Sequence, residues 1–126
     1  MFIQIDNQSR VPVYEQIVVQ IEKQVLLGLI SAGDQIPSVR SMSMQMHLNP
    51  NTVPRAYTEL DRKSLIYTIS GVGSFISEDA LDVLKNEKRK LIPVLEDRIK
   101  ELALAGITKK EVLDIVDKIY EKGDFK

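Results

Sequence analysis

Residues 37–60 read PSVRSMSMQMHLNPNTVPRAYTEL, and residues 64–77 read SLIYTISGVGSFIS. In the first stretch two short helical patterns flank His47-Leu48-Asn49-Pro50. The second pattern places Val53, Ala56, Tyr57 and Leu60 at i, i+3, i+4 and i+7, a single apolar stripe. Its other face is polar: Asn51, Arg55, Thr58 and Arg62 recur at i, i+4, i+7 and i+11, supplying amide and guanidinium groups that can bond base edges and phosphates. Leu65 to Ile69 are aliphatic, aromatic or β-branched and read as a strand, Gly71-Val72-Gly73 as a tight turn, and Phe75-Ile76 as the returning strand. The predicted fold is therefore mainly α with a small β-wing, a winged helix-turn-helix, and the predicted partner is double-stranded DNA.

Upstream, the alternation in Phe2 to Asp6, with Ile3 and Ile5 on one side, predicts a short strand. Pro12 suits the first position of a helix, where its missing N–H would be unpaired anyway, and Tyr14, Ile17, Val18, Ile21 and Val25 give that helix a buried stripe. Gly28 stops it and Gly33-Asp34 signals a turn. Ser38 can cap the next helix, which packs through Val39, Met42 and Met46 and leaves Met44 exposed.

After the wing, Ser77-Glu78-Asp79 offers an N-cap and first-turn acids for a helix whose Leu81, Leu84, Leu91, Leu95, Ile99 and Leu102 recur every three to four residues. Pro93 predicts a kink or restart within it. Ala105-Gly106 ends the pattern, Thr108-Lys109-Lys110-Glu111 reads as a capping box, and Val112, Ile115, Val116 and Ile119 mark a final helix before a tail from Gly123 expected to fray. The division is thus a DNA-binding domain at 1–77 and a helical dimerisation or effector unit at 78–126. Two short helices cannot hide their apolar sides alone, so a homodimer joined through Leu84, Leu91, Leu95, Ile99 and Leu102 is expected.

Composition removes most alternatives. With no cysteine and one histidine, disulfides, zinc fingers, thiol catalysis and His clusters are out, and neither metal nor cofactor is expected. No Ser-His-Asp or nucleotide-binding constellation is present; Gly71-Val72-Gly73 lacks the lysine and helix of a phosphate loop, so no enzyme is expected. No basic leader precedes an apolar run and no stretch approaches the roughly 20 apolar residues of a membrane span, which predicts a cytoplasmic protein without membrane contact. The 17 basic and 18 acidic residues leave a net charge of −1, yet four of the six bases before residue 79 fall between 40 and 63. Modest non-specific DNA binding follows.

In order and spacing these motifs resemble the GntR family of bacterial transcription regulators, specifically its small YtrA subfamily. Pro12-Val13-Tyr14-Glu15-Gln16-Ile17 is similar to the first-helix signature, and Gly33-Asp34-Gln35-Ile36-Pro37-Ser38-Val39-Arg40 to the loop into the second helix. Asn49-Pro50-Asn51-Thr52-Val53 with Arg55-Ala56-Tyr57 is similar to the recognition helix, and Gly71 to Ile76 to the wing. The resemblance implies a homodimeric repressor of a transporter operon, with Ser38, Arg40, Asn49, Asn51, Thr52, Arg55 and Gly71 facing a pseudo-palindromic operator. Three positions depart from the family pattern: Pro54 replaces a polar or basic contact, while His47 and Ser64 stand where glycine is usual.

Asn49 reads first as a helix cap, a role compatible with a phosphate contact. A small-molecule effector of unknown identity would bind at a dimer junction, because roughly 45 residues leave little room for a pocket of some 300 Å³. The competing reading is a winged-helix module that binds protein; it would favour an exposed aromatic or aliphatic patch where this helix carries Asn, Thr and Arg.

Overall fold

The computed structural model describes residues 1–123 and 125; positions 124 and 126 of the tail lie outside the described residues. The elements are α1 (Val13–Leu26), β1 (Gln35–Ile36), α2 (Val39–Met46), α3 (Thr52–Arg62), β2 (Ile66–Ile69), β3 (Gly73–Ile76), α4 (Ala80–Arg89), α5 (Ile92–Leu104) and α6 (Lys109–Lys122). The strands form one antiparallel sheet in the order β1-β3-β2. This is a winged helix-turn-helix, with a short strand β1 inside the segment expected only as the loop into the second helix. None of the described helices is long and apolar enough to cross a membrane.

The core forms where the apolar stripes of α1 and α3 meet: Ile17 and Ile21 on one side, Val53, Ala56 and Leu60 on the other, all essentially inaccessible to water. Each large aliphatic side chain buried there contributes about 1.5–3 kcal/mol. Alanine at position 56 adds little bulk between the helices. Beside this seam, Glu22 on α1 is buried and meets Lys63, just past α3, at 3.3 Å. Tyr57 donates a short hydrogen bond to the Pro37 carbonyl and so pins the segment entering α2.

Phe2 to Asp6 forms no strand. Its backbone partners are side chains instead: Gln20 accepts from the Gln4 N–H at 2.8 Å and donates to the Gln4 carbonyl at 2.6 Å. Gln16 accepts from the Asp6 N–H at 2.9 Å and donates to the Asp6 carbonyl at 3.1 Å, while Gln24 donates to the Phe2 carbonyl at 2.7 Å. The match is geometric. Four helical residues rise about 6 Å, and two extended residues span about 6.6 Å, so glutamines at 16, 20 and 24 meet alternate backbone units. Ile3 and Ile5 are thereby held against the core.

Four helices end in one motif. At α1, α2, α3 and α5 a left-handed residue follows the last turn, and the next N–H returns to a carbonyl five residues back: Leu29 to Gln24, Leu48 to Ser43, Leu65 to Leu60 and Ile107 to Leu102. Glycines 28 and 106 occupy two of the left-handed positions, but His47 (φ 53°) and Ser64 (φ 63°) occupy the others. The two departures from glycine noted in the sequence are thus the two non-glycine residues of positive φ among those described. Left-handed backbone costs an L-residue roughly 1–2 kcal/mol.

The chain divides into compact units Met1–Lys85 and Asn86–Lys126, so the first extends past the expected boundary at residue 77. The reason is burial: Ala80 and Leu84, early in α4, are 1% and 0% exposed within the first unit's core. This corrects the assignment of Leu84 to the dimerisation stripe. In the second unit the restart anticipated at Pro93 is present, with α5 beginning at Ile92, and Thr108 caps α6 by accepting from the Glu111 N–H at 3.2 Å.

Two stability outcomes follow. Ser64→Gly should raise the free energy of urea unfolding by about 0.5–1 kcal/mol, the left-handed cost less the entropy that glycine adds to the unfolded chain. Tyr57→Phe should lower it by about 1–2 kcal/mol by leaving the Pro37 carbonyl unpaired. Burial also raises the Tyr57 phenol above its ordinary value of 10.0, so its contribution is complete below pH 10 and is lost as the pH climbs beyond it. Unfolding curves above that pH should show this loss in the native sequence and a shallower one in Tyr57→Phe.

Candidate nucleic-acid interface

Burying the stripe of α3 against α1 leaves its polar face outward by necessity. His47 turns the chain out of α2, and Asn49 Oδ1 then accepts from the Asn51 N–H at 2.9 Å, while the Thr52 N–H bonds the Asn49 carbonyl at 3.0 Å. Asn49 thus caps the turn that leads into α3 and not the helix itself, whose N-cap position is Asn51, and Pro50 lies in that turn ahead of the helix. Pro54 falls within the first turn: the Arg55 N–H reaches the Asn51 carbonyl at 3.3 Å, so the missing N–H of Pro54 interrupts little of the ladder.

The four polar residues of this face divide into two pairs. Asn51 is exposed and Thr52 beside it half-buried, and neither side chain has an intramolecular hydrogen bond among the described residues. Arg55 is exposed as well, with its guanidinium 3.9 Å above the centre of the Tyr14 ring. Further along, Thr58 Oγ1 donates to the Pro54 carbonyl at 2.9 Å, and Arg62 holds Glu59 at 2.8 Å. The hydrogen bond from Arg62 lowers the Glu59 carboxyl below its ordinary range, and the same bond raises the guanidinium. At the start of α3, Asn51 and Thr52 therefore keep uncommitted side-chain donors, and Arg55 is held by Tyr14 and not by its own helix.

The same sorting applies to charge. Of the four bases between 40 and 63, Arg62 and Lys63 have acidic partners in Glu59 and Glu22, whereas Arg40 on the first turn of α2 is exposed and makes no ion pair among the described residues. Ser38 caps α2 by accepting from the Ser41 N–H at 3.0 Å, which leaves its own O–H free to donate.

Pro12, Val13, Tyr14, Asn49, Asn51, Thr52 and Arg55 line one depression of about 340 Å³. Four of the residues selected from sequence come together here. Tyr14 was missed because its spacing places it on the buried stripe of α1; the helix begins at residue 13, and at that end the stripe emerges from the core. Gln35 was missed too. Its amide donates to the Val72 carbonyl at 3.1 Å, tying β1 to the turn of the wing. A Cβ at Gly73 (φ 146°) would collide with that amide. The turn itself closes through the Val72 N–H and the Ile69 carbonyl at 2.9 Å, with Gly71 exposed at its tip.

Comparison with known proteins agrees with this geometry. Residues 13–76 match the family described as bacterial regulatory proteins, gntR family. The HTH-type transcriptional repressor YtrA of Bacillus subtilis is 41% identical over 102 residues, covering 81% of this chain and 76% of the relative. The HTH-type transcriptional regulator YhcF of the same organism is 38% identical over 94% of this chain and 99% of its own. A transcriptional regulator from Oenococcus oeni superposes with a TM-score of 0.73 at 36% identity, covering 94% and 99% of the two chains. The chain belongs to the gntR family of bacterial regulatory proteins, in its YtrA subfamily, and is a DNA-binding transcription regulator.

Proposed function

We propose that this regulator is a cytoplasmic repressor that reads a pseudo-palindromic operator as a homodimer. The observation that carries the reading is the sorting of donors on α3, whose Asn51, Arg55, Thr58 and Arg62 are all exposed: Thr58 and Arg62 are bound within the helix, whereas among the described residues Asn51 makes no intramolecular side-chain bond and Arg55 is held only by Tyr14 of α1. A helix that presents its N-terminal turn to the major groove uses those first residues for base edges. Asn51 and Arg55 accordingly specify sequence, with Thr52 beside them; Arg40, Ser38 and the Asn49 turn position the protein on phosphates, and Gly71 brings the wing tip to the backbone. Repression is favoured by the similarity to YtrA, which is named a repressor, and the family resemblance extends the proposal to a transporter operon.

The dimeric part of the proposal draws on the second unit. Leu91, Leu95, Ile99 and Leu102, with Val116 and Ile119 of α6, are all more than a third exposed in the single chain. A second copy would cover them, and two-fold symmetry is the commonest arrangement.

Selection from random duplexes with the full-length protein should recover two inverted half-sites about one turn, roughly 10 base pairs, apart. Leu95→Asp should leave a monomer by light scattering and lose most of the affinity for that duplex. A single asymmetric site, or a dimer indifferent to Leu95→Asp, would be the contrary result. Within the reading head, Arg40→Ala should weaken binding to selected and scrambled duplexes alike and make the salt slope shallower by about one unit. Arg55→Ala should cost roughly 1–3 kcal/mol on the selected duplex alone; an equal loss on both would move Arg55 to the phosphates.

A further inference from the structure

The reach of Arg55 is set by a residue of another helix. Its guanidinium lies 3.9 Å over the Tyr14 ring, and its Nη2 is 3.4 Å from the Tyr14 hydroxyl, which in turn donates to Glu15 Oε1 at 3.1 Å. The 3.4 Å contact is long for a hydrogen bond, so the ring face is the stronger hold. A guanidinium held by its face keeps its donors in plane along its edge, and no acceptor other than the Tyr14 hydroxyl takes them among the described residues. Asn49, Asn51 and Thr52 share the depression onto which this pair opens.

We propose that Tyr14 is a positioning residue for DNA recognition: it holds Arg55 by the face so that the edge is presented to the duplex already ordered. Arginine loses more rotamer freedom on binding than most side chains, and fixing it beforehand converts that loss into affinity. Glu15 completes the arrangement by accepting the hydrogen bond of the Tyr14 hydroxyl, which turns the oxygen lone pairs toward Arg55. This inference rests on the assignment of Arg55 to DNA.

A double-mutant cycle on the selected duplex tests it, with urea unfolding as the control for fold. Tyr14→Leu should weaken binding about fivefold, Tyr14→Phe, which keeps the ring face, less than about twofold, and Tyr14→Leu should have no further effect in Arg55→Ala. The Arg55 side-chain protons should be shifted upfield by the ring in the free protein, stay so in the complex, and lose the shift in Tyr14→Leu. Equal losses from Tyr14→Leu with and without Arg55 would overturn the proposal, since Tyr14 would then act through the fold or touch DNA itself. Tighter binding by Tyr14→Leu would also overturn it, because the ring would be competing with DNA for the guanidinium. If Arg55→Ala leaves binding to every duplex unchanged, the assignment of Arg55 fails and the role of Tyr14 fails with it; if Arg55→Ala weakens binding but the cycle shows no coupling, the role of Tyr14 alone is lost.

Discussion

The close packing of α3 on α1 is the constraint from which the rest of the first unit follows. Once Val53, Ala56 and Leu60 are sealed against Ile17 and Ile21, the rotation of α3 is fixed, and with it the face that carries Asn51 and Arg55. Contacts lateral to this seam then become available. Tyr14 meets Arg55, and Glu22, buried, meets Lys63. A buried carboxylate without a partner would cost several kcal/mol, so the Glu22 pair is a requirement of the seam more than a source of stability.

Polar side chains complete the backbone hydrogen bonding where secondary structure does not. Three glutamines of α1 receive the N-terminal segment, Gln35 ties the wing turn, and Tyr57 secures the carbonyl before α2. Each of these bonds joins segments distant in sequence, so each fixes relative placement as well as satisfying a polar group. The wing and the start of α2 are tied through the three residues from Gln35 to Pro37. That places the Ser38 cap, Arg40 and the tip at Gly71 under common geometric control.

The second unit obeys different physics. None of the described residues of α5 and α6 is buried in the single chain, although both helices carry ordered apolar stripes and proper caps. Local signals specify such helices well, because N-caps, a restart at proline and a glycine stop act within one turn. Their stability in water needs apolar cover, and in isolation helices of 13 and 14 residues are marginal.

How much of this was legible without coordinates depended on the range of the interaction. Periodicity alone located α1, α2, α3 and the wing, and cap chemistry alone located the Ser38 and Thr108 N-termini, because those signals are complete within a few residues. The polar face of α3 was equally readable, since burying one face dictates the other. Tertiary structure decided what spacing cannot express. A strand expected at residues 2–6 proved to be a segment held by helix glutamines, because extended alternation looks the same whichever partner supplies the bonds. Leu84 fitted the downstream stripe by period but belongs to the first core, where the space it fills is formed by residues far away in sequence. Arg55 and Tyr14 lie 41 residues apart and were read separately as a contact residue and a core residue. Only the crossing of their two helices sets the cation on the ring, because a side chain's reach is fixed by what its neighbours in space leave open.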